Sequence, residues 1–199
     1  MLYPRVTKIN GKETLIGDNC LVSPREHLAG KRIINVFGTI GMELDSVNLL
    51  LALDSQSHEP IKFIISSPGG SVDAAFLLYD VIQLVESPII TIGTWCCSAA
   101  VMLLAAGNKR YLLPHSKTMI HLIRSQFEGD AKDFEIAKKE MDAYQTQMSE
   151  IYQRCGVKKT KKQLSMDMDR EFWMNPKEAI DYGLADEIVT KETVQGWLK

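Results

Sequence analysis

The sequence has few of the residues that build disulfide frameworks or zinc sites. Only four cysteines are present, none forms a C-x-x-C pair, and Cys96 and Cys97 are adjacent, a spacing poorly suited to a mutual disulfide. This scarcity argues against a disulfide-stapled fold and against a structural zinc centre. We therefore expect reduced thiols, a cytoplasmic protein and no metal.

Long apolar runs and a charge excess of one sign are also missing. No stretch approaches the ~18 to 20 apolar residues that span a bilayer, and residues 1–17 contain no apolar run of signal-peptide length. The formal net charge is −2, and the densest basic stretch, Lys158–Lys162, suits the solvated start of a helix. We therefore expect neither a membrane nor a nucleic acid as a partner.

What the chain does contain is an alternation of short β-rich runs with longer helical runs. Such βαβ repeats predict an α/β fold whose strands are mostly parallel and buried. The predicted strands are residues 32–38, 61–67, 89–92, 111–113 and 118–121, and the predicted helices are residues 41–56, 71–86 and a run after residue 98. The tail predicts a short helix ended by Gly183 and a closing strand.

A length of 199 residues suits one domain, which we assign to residues 1–199. Residues 1–25 form a polar amino-terminal segment with one clear turn at Asn10-Gly11. No internal repeat or low-complexity segment divides the chain.

One predicted helix, residues 130–155, is much longer than the others. Its length is ~39 Å at ~1.5 Å per residue, more than a domain of this size needs to cover its own sheet. Its apolar residues follow a heptad spacing: Phe134, Ala137, Met141, Tyr144, Met148, Ile151 and Cys155. We expect part of the helix to project and to self-associate. The alternative is an ordinary amphipathic helix lying on its own sheet.

Two helix starts are candidates for chemistry. "SSPGG" places Gly69 and Gly70 between a strand and a helix, where backbone N–H groups can face a ligand or an oxyanion. Ser98 begins an almost unbroken apolar helix and could present its hydroxyl beside the free N–H of Ala99. The ordinary alternatives are a simple chain turn at the glycines and an N-cap role for Ser98.

A serine nucleophile needs a base and an acid. Of the four histidines, His27, His58 and His115 lie in polar loops or turns, whereas His121 ends the apolar strand "KTMIH". The later segment "DMDREFW" supplies Asp167, Asp169 and Glu171 as carboxylates that could orient it. The chain order would be serine, histidine, carboxylate.

Three segments together resemble the proteolytic subunit of the Clp protease, the ClpP family: "SSPGGSV", "SAAVMLLAAGNKRYLLPHSKTMIH" and "NPKEAIDYGLADEIV". The likeness runs from about Arg32 to Val189. It implies a crotonase-like βαβ spiral whose long helix is the handle that pairs two rings of seven subunits.

By this resemblance Ser98 matches the nucleophile, His121 the base, and the N–H groups of Gly70 and Ala99 the oxyanion hole. The family's catalytic aspartate falls on Glu171, with Asp169 as the second candidate. The implied activity is a serine endopeptidase without a cofactor. The implied partners are a tetradecamer of this chain, an AAA+ unfoldase that supplies any ATP dependence, and unfolded polypeptide as substrate.

The chain departs from the family pattern in three places. Thr94 stands where the family has glycine, four residues before the nucleophile, and Trp95-Cys96-Cys97 replaces small residues. Glu171 is one methylene longer than aspartate. Residues 1–25 do not match the segment that forms the family's axial pore loops.

These departures motivate a rival interpretation, a catalytically weak or inactive scaffold subunit in mixed rings. A second rival is an acyl-CoA enzyme of the crotonase group, which would have no need of Ser98. A signal-peptide-peptidase-like enzyme would need a lysine base and a membrane anchor, and the sequence offers neither.

Overall fold

The computed structural model of the chain describes residues 3–4, 6–9, 12–15, 21–41, 44–126 and 128–195, with the backbone alone for residues 3–22 and for residues 44 and 195. The predicted Asn10-Gly11 turn lies outside the described residues. The strands that flank it, β2 (Val6–Ile9) and β3 (Lys12–Leu15), pair antiparallel.

The remaining elements alternate along the chain as the sequence predicts. The other strands are β1 (Tyr3–Pro4), β4 (Leu21–Val22), β5 (Ile33–Phe37), β6 (Ile61–Ser67), β7 (Ile89–Cys97), β8 (Lys109–Ile120), β9 (Phe172–Met174) and β10 (Glu187–Ile188). The helices are α1 (Pro24–Gly30), α2 (Leu44–Gln56), α3 (Val72–Leu84), α4 (Ala99–Ala105), α5 (Ala131–Arg154), α6 (Lys161–Met168), α7 (Pro176–Tyr182) and α8 (Lys191–Gln195).

The main sheet has the strand order β10-β8-β7-β6-β5, and these five strands are parallel. A sixth strand, β9, pairs antiparallel with β8. Parallel strands of one sheet present their carboxyl ends at the same edge, so the residues that follow β6, β7 and β8 meet there. The α/β prediction is confirmed, and the sheet gathers the candidate residues after Ser67, Cys97 and Ile120 at one edge.

Three predicted strands were wrong in their bounds. The predicted strand 89–92 continues to Cys97, directly before Ser98. The predicted strands 111–113 and 118–121 are parts of the single strand β8, although Pro114 lies between them. The pairing with β7 passes from Leu112 to Lys117, so the intervening residues leave the ladder and the proline blocks no ladder hydrogen bond.

The buried helix α4 forms the centre of the hydrophobic core. All seven residues of α4 are at most 2% exposed, which explains why this helix carries no charged side chain. It packs against β7, α3 and β8. Since Ser98 immediately precedes this helix, a buried element anchors the candidate nucleophile. Within the described part of the chain, no helix combines the length and the apolar character needed to cross a bilayer.

The long helix α5 divides into a packed half and an exposed half. Met148, Ile151 and Tyr152 are buried against the rest of the domain. Residues 131–140 are all exposed except the half-buried Ala137. The prediction that part of this helix projects is confirmed, but the heptad seam is shared between the domain's own core and the projecting half.

Candidate active site

Ser98 links β7 to α4 in a backbone conformation that is costly for a residue with a side chain. Its φ is 57° and its ψ is −128°, and Arg32 is the one other non-glycine residue with positive φ in the described part of the chain. The Ser98 N–H donates to the carbonyl of Met119 on β8 at 2.8 Å. The Ser98 hydroxyl makes no capping hydrogen bond. The alternative that the Ser98 hydroxyl caps the helix is therefore wrong. The strained strand-to-helix turn leaves the Oγ free of a capping hydrogen bond.

The departure at Thr94 is absorbed by a β-bulge. β7 pairs with β6 through Ile65 and Gly93 and then through Ser66 and Trp95, so Thr94 has no partner residue in the ladder. The pairing resumes and continues to Cys97. Because a bulge adds one residue to one strand alone, the register after Thr94 is shifted by one residue relative to β6, but the residues directly before Ser98 remain paired.

Gly69 packs directly against the Ser98 turn. Its φ is +94°, and a Cβ at this position would lie 2.7 Å from the Cys97 carbonyl oxygen and 2.7 Å from the Ser98 Cβ. The Gly69 N–H donates to the Ser67 Oγ at 3.0 Å. These contacts hold the glycine turn against the nucleophile and require that residue 69 lack a side chain.

Gly70 is held by the segment after β5. The Ile40 N–H donates to the Gly69 carbonyl at 2.8 Å, and the Ser71 N–H donates to the Ile40 carbonyl at 2.9 Å. Neither the Gly70 N–H nor the Ala99 N–H donates a hydrogen bond to a described residue. Two unpaired N–H groups therefore flank the Ser98 region, as an oxyanion hole requires.

His121 directly follows the last residue of β8 and is half-buried. Its Nδ1 is buried and has no hydrogen-bond partner among the described residues. Burial lowers the pKa of His121, and the positive charge of Arg124 lowers it further, whereas a hydrogen bond with the Leu122 backbone and the negative charge of Glu171 act in the opposite direction. With a pKa below its ordinary value near 6.5, the imidazole is neutral at pH 7 and able to accept a proton.

Glu171 directly precedes β9, and His121 directly follows β8. The antiparallel ladder between these strands runs from Thr118↔Met174 to Ile120↔Phe172 and ends one residue short of both side chains. The negative charge of Glu171 acts on His121 and raises its pKa. The carboxylate is nevertheless bound elsewhere: one oxygen accepts from Arg124 Nη1 at 3.3 Å and the other from Trp173 Nε1 at 3.2 Å.

The other two candidate acids have different partners. Asp169 ends α6, is largely exposed and pairs with the adjacent Arg170 at 3.2 Å. Asp167 accepts a hydrogen bond from the Tyr182 hydroxyl at 2.7 Å. Of the three candidate acids, Glu171 is the one whose charge acts on His121.

Cys97 is the other potential nucleophile next to Ser98. Its side chain is 2% exposed, and burial together with the charge of Glu171 raises the pKa of its thiol to about 11. A thiol with this pKa stays protonated at neutral pH and is a poor nucleophile. Of these two neighbouring side chains, Ser98 is therefore the better candidate nucleophile.

Sequence reasoning missed β9 and the two donors that bind Glu171. The aromatic run Phe172-Trp173 is a strand signal that could have revealed β9. Nothing in the local sequence connects Arg124 to Glu171, since the two are 47 residues apart.

Comparison with known proteins agrees with this geometry. The Clp protease family model matches residues 17–192. A Gluconobacter oxydans protein named ATP-dependent Clp protease proteolytic subunit 2 is 34% identical over 193 residues, which cover 91% of this chain and 86% of the relative. A Pseudomonas aeruginosa protein of the same name is 32% identical over 168 residues, covering 81% of this chain and 83% of the relative.

The structural comparison leads to the same family. A solved structure of a mutant ClpP1 from Listeria monocytogenes matches with a TM-score of 0.77 and 30% sequence identity, covering 85% of this chain and 98% of that chain. With the family model spanning most of its length and about a third of its residues shared with these relatives, the chain belongs to the Clp protease family of proteolytic subunits and has the ClpP fold.

Proposed function

We propose that this chain is a serine endopeptidase in which Ser98 is the nucleophile and His121 the general base. The observation that carries the proposal is the strained Ser98 turn, which leaves the hydroxyl free of capping bonds beside two unpaired N–H groups. The Clp protease family is a class of serine peptidases, in agreement with this chemistry.

The reaction follows from the positions of these groups. His121 takes the Ser98 proton while Oγ attacks a peptide carbonyl, and the N–H groups of Gly70 and Ala99 stabilise the oxyanion. The imidazolium then protonates the leaving amine. Water, deprotonated by His121, hydrolyses the acyl-enzyme and frees Ser98. No step of this proposal requires a metal or a nucleotide.

Acylation of Ser98 tests this proposal without knowledge of the substrate. A fluorophosphonate transfers its phosphonyl group to an activated serine and releases fluoride, and intact-mass spectrometry detects the adduct. One adduct per chain, localised to Ser98 by peptide mapping, would support the peptidase. A folded, assembled protein that is never labelled would contradict it and favour the inactive scaffold.

Neither rival gains support from a specific feature of the site. The scaffold interpretation rested on Thr94 and Glu171, but β7 stays paired up to Cys97 in spite of the bulge, and the charge of Glu171 acts on His121. A crotonase-type acyl-CoA enzyme gives no reason for the strain at Ser98 or for the histidine and carboxylate beyond it.

Glu171 is the proposed triad acid, and its replacement tests that choice. We expect Glu171→Gln to slow fluorophosphonate labelling by about tenfold or more, because an amide cannot stabilise the imidazolium. Asp169→Asn and Asp167→Asn are the matched controls and should leave the rate within about twofold, since neither is the acid whose charge acts on His121. A larger loss in Asp169→Asn than in Glu171→Gln would transfer the role to Asp169.

Members of this family form oligomeric rings and work with Clp ATPases. For this chain we propose heptameric rings stacked as a tetradecamer, an AAA+ unfoldase as partner and unfolded polypeptide as substrate. A chamber would keep an unselective peptidase away from folded proteins. A cytoplasmic location fits the free thiols of Cys96, Cys97 and Cys155.

The projecting half of α5 is the surface we assign to assembly. Phe134 is 56% exposed and Ile136 is 63% exposed, unusual for large apolar side chains on a helix. We expect the double variant Phe134→Ser, Ile136→Ser to lower the assembly state in sedimentation velocity while the helical circular dichroism of the subunit persists.

The control for this variant is Met148→Ser, on the packed half of the same helix. Met148 is buried in the domain, so its replacement should destabilise the subunit by about 2 to 4 kcal/mol in denaturant unfolding. If the double variant at Phe134 and Ile136 sedimented like the parent protein, this half of the helix would not be the assembly surface.

A further inference from the structure

The Glu171 carboxylate is bound by side chains other than His121. Its two oxygens accept from Arg124 and Trp173, while the Nδ1 of His121 is buried without a hydrogen-bond partner among the described residues. A buried ring nitrogen without a hydrogen bond is unfavourable by an amount comparable to a lost hydrogen bond. The unpaired nitrogen therefore marks the place where a carboxylate oxygen would bind.

The backbone just before Arg124 is anchored beside this pair. Leu122 donates to the Met168 carbonyl at 2.8 Å, and Ile123 donates to Gln145 Oε1 at 3.0 Å. These two bonds connect the segment to α6 and α5. From this anchored backbone the guanidinium reaches the Glu171 carboxylate and competes with the imidazole for it.

The charges of Arg124 and Glu171, the two described ionic groups that act on His121, favour the ion pair between them. Arg124 is positively charged and Glu171 negatively charged, and the neutral Cys97 thiol lies within the field of the same carboxylate. A neutral imidazole competes weakly with a guanidinium for a carboxylate, whereas an imidazolium competes strongly. The pair with Arg124 should thus persist until His121 begins to take the serine proton.

We propose that Arg124 is a positioning residue that withholds Glu171 from His121, so that the triad closes only when the carboxylate moves from the guanidinium to the imidazole. This inference rests on the proposed serine peptidase function. The movement is short, because Ile120 and Phe172, the neighbours of His121 and Glu171, are paired across β8 and β9. Trp173 can keep its bond to the second oxygen during the exchange.

The effect should be modest because the pair is solvent-exposed. The side chains of Arg124 and Glu171 are 63% and 42% exposed, and exposed ion pairs contribute little free energy. We expect Arg124→Gln to accelerate fluorophosphonate labelling of Ser98 by about three- to tenfold. Glu171→Gln should remove this gain, so that the double variant is no faster than Glu171→Gln alone.

A readout that needs no catalysis is the titration of His121 itself. In protein labelled with ¹³C at histidine Cε1, the His121 signal is assigned from its absence in His121→Gln and followed by NMR against pH. Arg124→Gln should raise the pKa of His121, and by more in the Glu171 background than in the Glu171→Gln background. That difference separates transfer of the carboxylate from simple removal of a positive charge.

Arg25→Gln is the matched control, since Arg25 forms an exposed ion pair with Asp45 at 3.1 Å and is also an arginine on the surface. It should change neither readout. Slower or unchanged labelling in Arg124→Gln, or an equal pKa rise in both Glu171 backgrounds, would overturn the proposal. If no variant were ever labelled, the titration would still decide the role of Arg124, and the absence of labelling would count against the peptidase alone.

Discussion

Ser98→Ala is expected to abolish fluorophosphonate labelling and to lower peptide hydrolysis by at least about 10⁴-fold. The loss is this large because the serine forms the covalent bond, so no neighbouring group can take its role. Cys97, the nearest alternative, has a thiol pKa raised to about 11 and is buried. Intact-mass spectrometry and a fluorogenic peptide assay on the assembled protein would measure the two effects.

The same substitution should leave the fold intact. Alanine keeps the Cβ, so the positive φ of residue 98 costs the same in both proteins, and the missing hydroxyl capped no helix. We expect the free energy of unfolding to change by less than about 0.5 kcal/mol. This combination of lost activity and kept stability is the pattern of a functional serine.

Ser23→Ala provides the opposite pattern as a control. Ser23 is an N-cap whose Oγ accepts from the Glu26 N–H at 3.2 Å, so its loss should cost about 1 kcal/mol of stability without slowing the labelling of Ser98. Hydrolysis retained by purified Ser98→Ala would remove the nucleophile assignment. Labelling that moved to another residue would identify the group that had been overlooked.

The sequence predicted the elements whose signals are local. The α/β alternation, the exposed start of the long helix and the Gly183 cap all appear in the structure, because each depends on residues within a few positions of one another. The helix α1 was missed because its start, Ser23-Pro24, falls in a segment assigned as polar and irregular. Its capping box and its proline at the first turn were readable signals.

Features set by pairing between distant segments could not be predicted. Pro114 suggested a break in β8, yet the strand continues because its neighbour β7 pairs on both sides of the irregular stretch. Thr94 departs from the family pattern, and the ladder with β6 accommodates it as a bulge. Tertiary pairing decides both cases, and a single sequence does not reveal which residues oppose one another.

The candidate site divides along the same line. Ser98, His121 and the two glycines could be predicted as candidate site residues, because each ends or follows a predicted strand or helix. The residues that bind Glu171 could not be predicted, because Arg124 and Glu171 come into contact only when β9 pairs with β8. The partners of Glu171 are therefore set by the fold and cannot be read from the spacing of the motifs.

Gly69→Ala should cause the second-largest loss, slowing fluorophosphonate labelling by about 10² to 10³-fold. An added Cβ would lie 2.7 Å from the Cys97 carbonyl oxygen and from the Ser98 Cβ, and 3.0 Å from the Ala99 nitrogen. Two of these atoms are backbone and none is the far end of a flexible side chain. The Ser98 turn or the Gly69 turn must therefore shift, and either movement separates the nucleophile from its oxyanion donors.

Gly38→Ala is the control that distinguishes the steric clash at residue 69 from the general cost of placing alanine at positive φ. Gly38 has a φ of +81° but no atom within 4 Å of an added Cβ, whereas Gly69 has a φ of +94° and a crowded site. Both variants should lose about 1 kcal/mol or more in denaturant unfolding, since alanine disfavours positive φ. Only Gly69→Ala should lose labelling. Equal labelling in the two variants would mean that the glycine turn does not position Ser98, and the oxyanion role of Gly70 beside it would lose its structural basis.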